Sequence, residues 1–152
     1  MTPKKLFKIV AVAEMVTWTG LIVGMIFKYA FGNDNVVPIT GGIHGFVFLC
    51  YGVTTVFVWV NQKWKPGVGI VGLFSTIVPY ATVPFELWAQ KRGLLEGPWR
   101  LVPGGEAPQN FPEHVEAWVL RRPVIAIALV VVAIVAVFAT LLWLGPPGGP
   151  RG

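Results

Sequence analysis

Cysteine occurs once and histidine twice in these 152 residues, too few to build the sites they usually build. The single Cys50 cannot close an intramolecular disulfide and carries no information about redox compartment. His44 and His114 lie on different segments, and no HExxH or CxxC spacing accompanies them, so no metal centre is expected. Paired histidine ligation of a haem would need both, and His114 sits in a polar stretch outside the apolar ones. Nor does any serine or cysteine stand where a histidine and an acid can be recognised as its activating partners. The expectation is a protein that is not an enzyme and takes no cofactor.

Charge is scarce too, at 12% of residues against 55% hydrophobic, and where it is missing the chain has bilayer-length runs. A transmembrane helix needs about 20 mostly apolar residues to cross a hydrocarbon core of about 30 Å. Four segments approach that length. Residues 9–27 hold only Glu14, 43–60 only His44, 67–85 no charge but Pro79 and Pro84, and 123–144 no ionisable group at all. A soluble domain of this size could not bury all four. The predicted fold is therefore all-α, a polytopic transmembrane helical bundle with four spans. Residues 1–91 make a three-span membrane core, 92–122 an extramembrane loop, and 123–144 the fourth transmembrane helix. Residues 145–152, GPPGGPRG, make a disordered tail. Lys4, Lys5 and Lys8 imitate a secretory signal, but the run they precede is too long, contains Glu14 and lacks a small-residue cleavage site. Most tryptophans fall at predicted span ends, where an amphipathic ring favours the interface. Trp18 is the exception, and its indole N–H needs an internal partner.

The net charge of +5 comes from basic residues flanking the apolar runs, so the expected partner is the lipid bilayer with its anionic headgroups, and no nucleic acid. Lys4, Lys5, Lys8, Lys63 and Lys65 place the amino terminus in the cytoplasm by the positive-inside rule. Four spans then return the carboxyl terminus to the same face of the bacterial inner membrane, and the loop from about Gln90 to Arg122 lies outside. This arrangement leaves six basic residues on each face, whereas a third segment that dips in and returns gives ten against two. Four full spans are the expectation, with the re-entrant segment as its alternative.

Within the loop, EGPWRLVPGGEAPQNFP has neither a helical nor a strand period. PEHVEAWVLRRP reads as a short interfacial helix, with Pro112 in its first turn, Glu113 and Glu116 at its positive end, and Arg121 and Arg122 at its negative end. Trp99, Phe111 and Trp118 are candidate contacts with other membrane-protein subunits.

An ionisable group at the bilayer centre costs at least about 2.5 kcal/mol on insertion scales, which makes each one a candidate for function. Glu14, two turns inside the first helix, reads as a proton or cation site, a pairing point for another subunit, or a carboxyl bonded to a neighbouring helix. Lys28 shares its face, and an antiparallel second helix would bring Lys28, His44 and Glu86 to one membrane surface. Tyr51 follows two turns after His44. These five residues form the candidate polar cluster, with simple interface anchoring as the alternative. Gly20 and Gly24, Gly41, Gly42 and Gly45, and Gly67, Gly69 and Gly72 permit close helix approach. Two functions fit: an accessory or assembly subunit packing against a larger membrane complex, a respiratory one being conceivable, or a small transporter or proton-linked channel.

FKIVAVAEMVTWTGLIVGMIFKY, followed by a polar turn and GGIHGFVFLCYG, resembles the YdzA-like proteins, small bacterial integral membrane proteins of unknown function found in actinobacteria and bacilli. The matching features are Glu14, Lys28, the His44-Gly45 pair, Tyr51 and a third segment ending near Trp88, over roughly residues 6–91. The long loop and the last span depart from that pattern. The resemblance implies a membrane location and a three-helix core, and supplies no activity.

Overall fold

The computed structural model describes residues 1–145, so the expected disordered tail lies outside the described residues except for Gly145. The chain forms α1 (Pro3–Phe31), α2 (Val36–Asn61), α3 (Pro66–Phe74), α4 (Thr82–Lys91), α5 (Phe111–Arg121) and α6 (Pro123–Leu144). Among the described residues there is no strand.

Helix α1 starts where Thr2 caps it, the hydroxyl accepting from Lys5 N–H at 3.3 Å, with Pro3 at the position that tolerates a missing N–H. It ends at Gly32, whose φ of 67° is left-handed and lets its N–H close on Lys28 O at 3.1 Å. The turn reverses the chain, and α2 runs back antiparallel along α1. The end holding the amino terminus is called the near end below, and the α1–α2 turn marks the far end.

Among the described residues three helices are long and apolar enough to cross a membrane, namely α1, α2 and α6, and not the four expected. The third predicted span is two short helices joined by a reversal, α3 packed on α2 and α4 on α1. Pro79 explains the break, since it lacks an N–H and disfavours helical backbone at Val78, whereas Pro84 falls in the first turn of α4, where a missing N–H is tolerated. Tyr80, with φ 65°, completes the reversal in a left-handed conformation uncommon for a bulky side chain. Contacts fix the direction of both arms. Gly69 lies against the Trp59 ring and Gly72 against Phe85 and Thr55, Ser75 meets Tyr51 at 2.9 Å, and Thr82 donates to Ala11 O at 2.9 Å. Beyond α4, Trp64 Nε1 donates to Leu94 O at 2.7 Å and Lys4 pairs with Glu96 at 2.7 Å. Helix α3 thus enters from the near end, and α4 returns to it.

It follows that the loop after α4 shares the near end with the amino terminus and does not lie opposite it, as four spans would require. Trp99 Nε1 donates to Met1 O at 2.7 Å, and Arg100 reaches the end of α2. Residues 1–91 are therefore two long helices plus a helical hairpin, not three spans. Helix α6 leaves from the near end and runs antiparallel to α2, with Ala126 and Ile134 buried and Phe138 reaching Gly42 and Gly45. The described chain begins at one end of the bundle and leaves α6 at the other.

The near-end core is aromatic: Phe7 meets Tyr51, Trp64 and Phe85 with ring centroids 5.5, 5.8 and 6.0 Å apart. A Cβ on Gly69 would overlap the Trp59 indole, whereas one on Gly20 meets nothing. Replacing Gly69 with Ala should therefore destabilise the hairpin by about 1–3 kcal/mol through overpacking. Gly20→Ala should be neutral or stabilising by up to about 1 kcal/mol, because it removes backbone freedom at a helix position with room for the methyl group. Thermal denaturation of both variants in detergent checks the contrast.

Candidate functional site

Glu14 is fully buried at the meeting point of α1, α2 and the tip of the α3–α4 hairpin. Its Oε1 accepts a short hydrogen bond from the Thr76 hydroxyl, and its Oε2 lies 3.4 Å from Thr17 Oγ1 and 3.7 Å from His44 Nδ1. Thr17 has one hydroxyl proton. Donated to Glu14, whose backbone carbonyl is also 3.0 Å away, it leaves lone pairs for His44 Nδ1–H at 3.2 Å. The imidazole lies against Trp18, ring centroids 4.5 Å apart, and Trp18 Nε1 donates to Thr76 O at 3.1 Å. That carbonyl is one of those freed where the helix breaks, and here it gains a donor inside the bundle. One step toward the near end, Tyr51 and Ser75 share a hydrogen bond, and Ser75 Oγ donates to Gly72 O at 2.7 Å.

The structure brings together Glu14 and His44, with Tyr51 close by, and separates the other two members of the expected cluster. Lys28 sits at the far end paired with the exposed Asp34 at 3.4 Å. Glu86 is on the returning arm, buried on the near-end side of Thr82, with Oε1 lacking a hydrogen-bond partner. The proposed Lys28, His44 and Glu86 grouping therefore does not form, for two reasons. The hairpin carries Glu86 back, away from the far end. Helix α2 begins at Val36, so His44 stands about 12 Å inside it and not at its mouth. Thr17 and Thr76 escaped the sequence reading; the only signal was a Ser75-Thr76 pair just before Pro79 in an apolar run.

At the near-end surface a second polar set closes the end of α2, which has no basic residue in its own last turn. Arg100 donates to Asn61 O and to Val60 O at 3.2 Å, so a cation sits on the helix's negative end. It also pairs with Glu106 and with Glu113 at 3.1 Å. The Gln109 N–H, at 2.8 Å, and then Arg100 hold the Glu113 carboxyl below the usual range despite burial. Helix α5 starts at its Asn110 cap, where the side chain accepts from Glu113 N–H at 3.0 Å. Glu116, 1% exposed, has neither carboxylate oxygen bonded, and burial pushes it up to about 7 even with Arg100 nearby. Of the candidate partner contacts, Trp99 is turned inward against Phe57 and Met1, whereas Phe111 and Trp118 are 80% and 38% exposed. Among the described residues no three of His, Cys, Asp and Glu converge as metal ligands do.

Three helices long and apolar enough to cross a membrane mark a multi-pass helical membrane protein, with the polar site between α1, α2 and the hairpin tip. The chain belongs to the DUF3817 family, a domain of unknown function, which matches residues 4–91. A Streptomyces coelicolor protein described only as a candidate membrane protein is 37% identical over 94 residues, covering 60% of this chain. The matched portion spans only 11% of that relative's length. No solved structure matches.

Removing the Thr76 hydroxyl by Thr76→Val should cost about 1–3 kcal/mol, because it strips a buried oxygen of its donor. Glu14→Gln should keep most of the contact, and Glu14→Leu should loosen the hairpin from α1; protease or hydrogen-exchange protection of residues 75–81 reads the difference. At the surface, Glu116 holds its proton in the folded state to higher pH than in the unfolded chain. The folded state therefore binds more protons between its ordinary value and about 7, and stability falls as pH rises through that window. Glu116→Gln should flatten this dependence in melting curves taken from pH 5 to 8.

Proposed function

We propose that this protein is an accessory membrane subunit, a small helical unit that packs beside the spans of a larger membrane protein or complex. The observation that carries the reading is the Streptomyces relative, in which the similar stretch is about a tenth of a much longer chain. In that chain the segment stands covalently alongside other sequence, and here the same association would be made between separate chains. The exposed Phe111 and Trp118 on α5 are the contacts we assign to the partner at the membrane surface. A respiratory complex is one partner class compatible with this. The YdzA-like likeness belongs to the same proposal, as does location in the bacterial inner membrane.

The membrane placement we propose has α1, α2 and α6 crossing and the α3–α4 hairpin re-entrant from the cytoplasmic side. Among the described residues the near end then carries ten basic residues against Lys28 alone at the far end, as the positive-inside rule favours. The amino terminus is cytoplasmic and the carboxyl terminus is outside.

A second reading is a proton-linked transporter in which Glu14 is the carrier group. It is favoured by the carboxylate, threonine hydroxyl and imidazole in one hydrogen-bonded chain at membrane depth. Glu86, buried with an unbonded oxygen nearer the cytoplasm, would be the next station.

Mild-detergent purification at native expression should yield a larger assembly, and Phe111→Ala with Trp118→Ala should weaken it. Recovery solely as a free monomer would refute the accessory reading. In a Cys50→Ser background, a maleimide applied outside spheroplasts should label Asn33→Cys and leave Gln109→Cys untouched. Labelling of Gln109→Cys instead would overturn the placement.

A further inference from the structure

We propose that the groove between α3 and α4 binds an acyl chain of an anionic glycerophospholipid, whose headgroup is held at the near end by Lys65 and Arg92. The groove has a volume of about 930 Å³ and is walled by Val68, Val71 and Phe74 on one side and by Ala81, Phe85 and Trp88 on the other. Ser75 closes its inner end, and Lys65 stands at its mouth. It opens sideways, since Val71 and Phe74 are exposed.

Depth identifies an acyl chain as the occupant. The nine residues of α3 rise about 13.5 Å, close to half of a hydrocarbon core of about 30 Å. A groove running from the surface to the midplane is one leaflet deep, the reach of a lipid tail. A crossing helix would extend past the hairpin tip and leave half of its length without this wall. The match rests on the re-entrant placement proposed above, which cysteine labelling tests separately.

Charge identifies the headgroup. Lys65 precedes the first turn of α3, and Lys91 and Arg92 end α4, so both arms deliver cations to the same mouth. The Arg92 guanidinium lies 5.8 Å from the Trp88 ring, and Trp88 itself lines the groove. Among the described residues none of these three cations forms an ion pair, as is also true of Lys5, Lys8, Arg121 and Arg122, so no carboxylate competes for the mouth. The nearby Glu96 is taken by Lys4. The positive end of α3 faces the same place. Unpaired cations over an apolar slot match a phosphate ester carrying net negative charge, and they match a zwitterionic lipid less well because its ammonium would meet Lys65.

The full chain, purified in mild detergent, is offered equal amounts of phosphatidylglycerol and phosphatidylcholine with identical acyl chains, and bound lipid is counted by native mass spectrometry. Phosphatidylglycerol should be retained in preference. Lys65→Gln and Arg92→Gln should each reduce its retention about fivefold, the factor equivalent to about 1 kcal/mol per basic residue at an anionic surface. Val71→Trp, which fills the slot and leaves every charge in place, should release the lipid as well. Should that variant not fold, acyl-brominated phosphatidylglycerol should quench a component of the fluorescence that disappears in Trp88→Phe. Equal retention of the two lipids would overturn the proposal. So would loss on removing the cations but none on filling the slot, which would mean surface attraction only. Crosslinking of Val71→Cys to a partner protein in the natively purified assembly would show a helix in the groove and would equally overturn it.

Discussion

A carboxylate shut inside an apolar helix pair has no water to bond, so donors must come from the protein, and here that requirement falls on Glu14. Helix α1 supplies Thr17 one turn away. The other donor, Thr76, belongs to a segment that has to leave its helix to reach the acid. Once Thr76 is there, the hairpin tip is fixed between α1 and α2, and the carbonyls exposed by the break must also be met. Trp18 bonds one of them, and Tyr51 steadies the adjacent Ser75. The same contact is thus anchor for the hairpin and environment for the acid, and neither is intelligible without the other.

At the near-end surface a different solution serves the opposite need. Helix α2 ends with carbonyls but no cation of its own, and Arg100 arrives from the loop to cover them. Because Arg100 also engages Glu106 and Glu113, the glycine- and proline-rich loop is tied at both ends, to α2 and to α5. A segment without secondary structure is held in place by one guanidinium whose several donors suit it to bond carbonyls and carboxylates together.

The sequence made plain what depends on one residue's own cost. Uninterrupted apolar length foretold α1, α2 and α6, and the interfacial helix was visible in its proline, its acids and its arginines. What stayed hidden depends on two segments meeting. Pro79 and Pro84 announce a break, but whether the chain continues or turns back is settled by Thr76 finding Glu14 and Thr82 finding Ala11, partners 62 and 71 residues away. That one ambiguity misplaced the loop and Glu86 together. The basic-residue tally had favoured the turn, because charge distribution reports the side a segment ends on even when hydropathy does not. His44 was misjudged for a local reason. Its helix begins earlier than the hydropathy does, at a stretch containing Pro38 and Thr40 that looks like a turn.

The family-matched segment, residues 4–91, enters and leaves the bundle at the same end, where Lys4 and Glu96 are ion-paired. In the placement proposed above, two full crossings and a half-deep excursion sum to no net change of side. Such a unit can be spliced into a longer polypeptide, at its start, middle or finish, without inverting the orientation of anything downstream. A module with that parity would carry little topological penalty in a fused chain, whereas one with an odd number of crossings would turn its neighbours inside out. Helix α6 lies outside the matched segment, and in the same placement it supplies the odd crossing, so it is this helix, and not the shared unit, that would send the backbone to the other side.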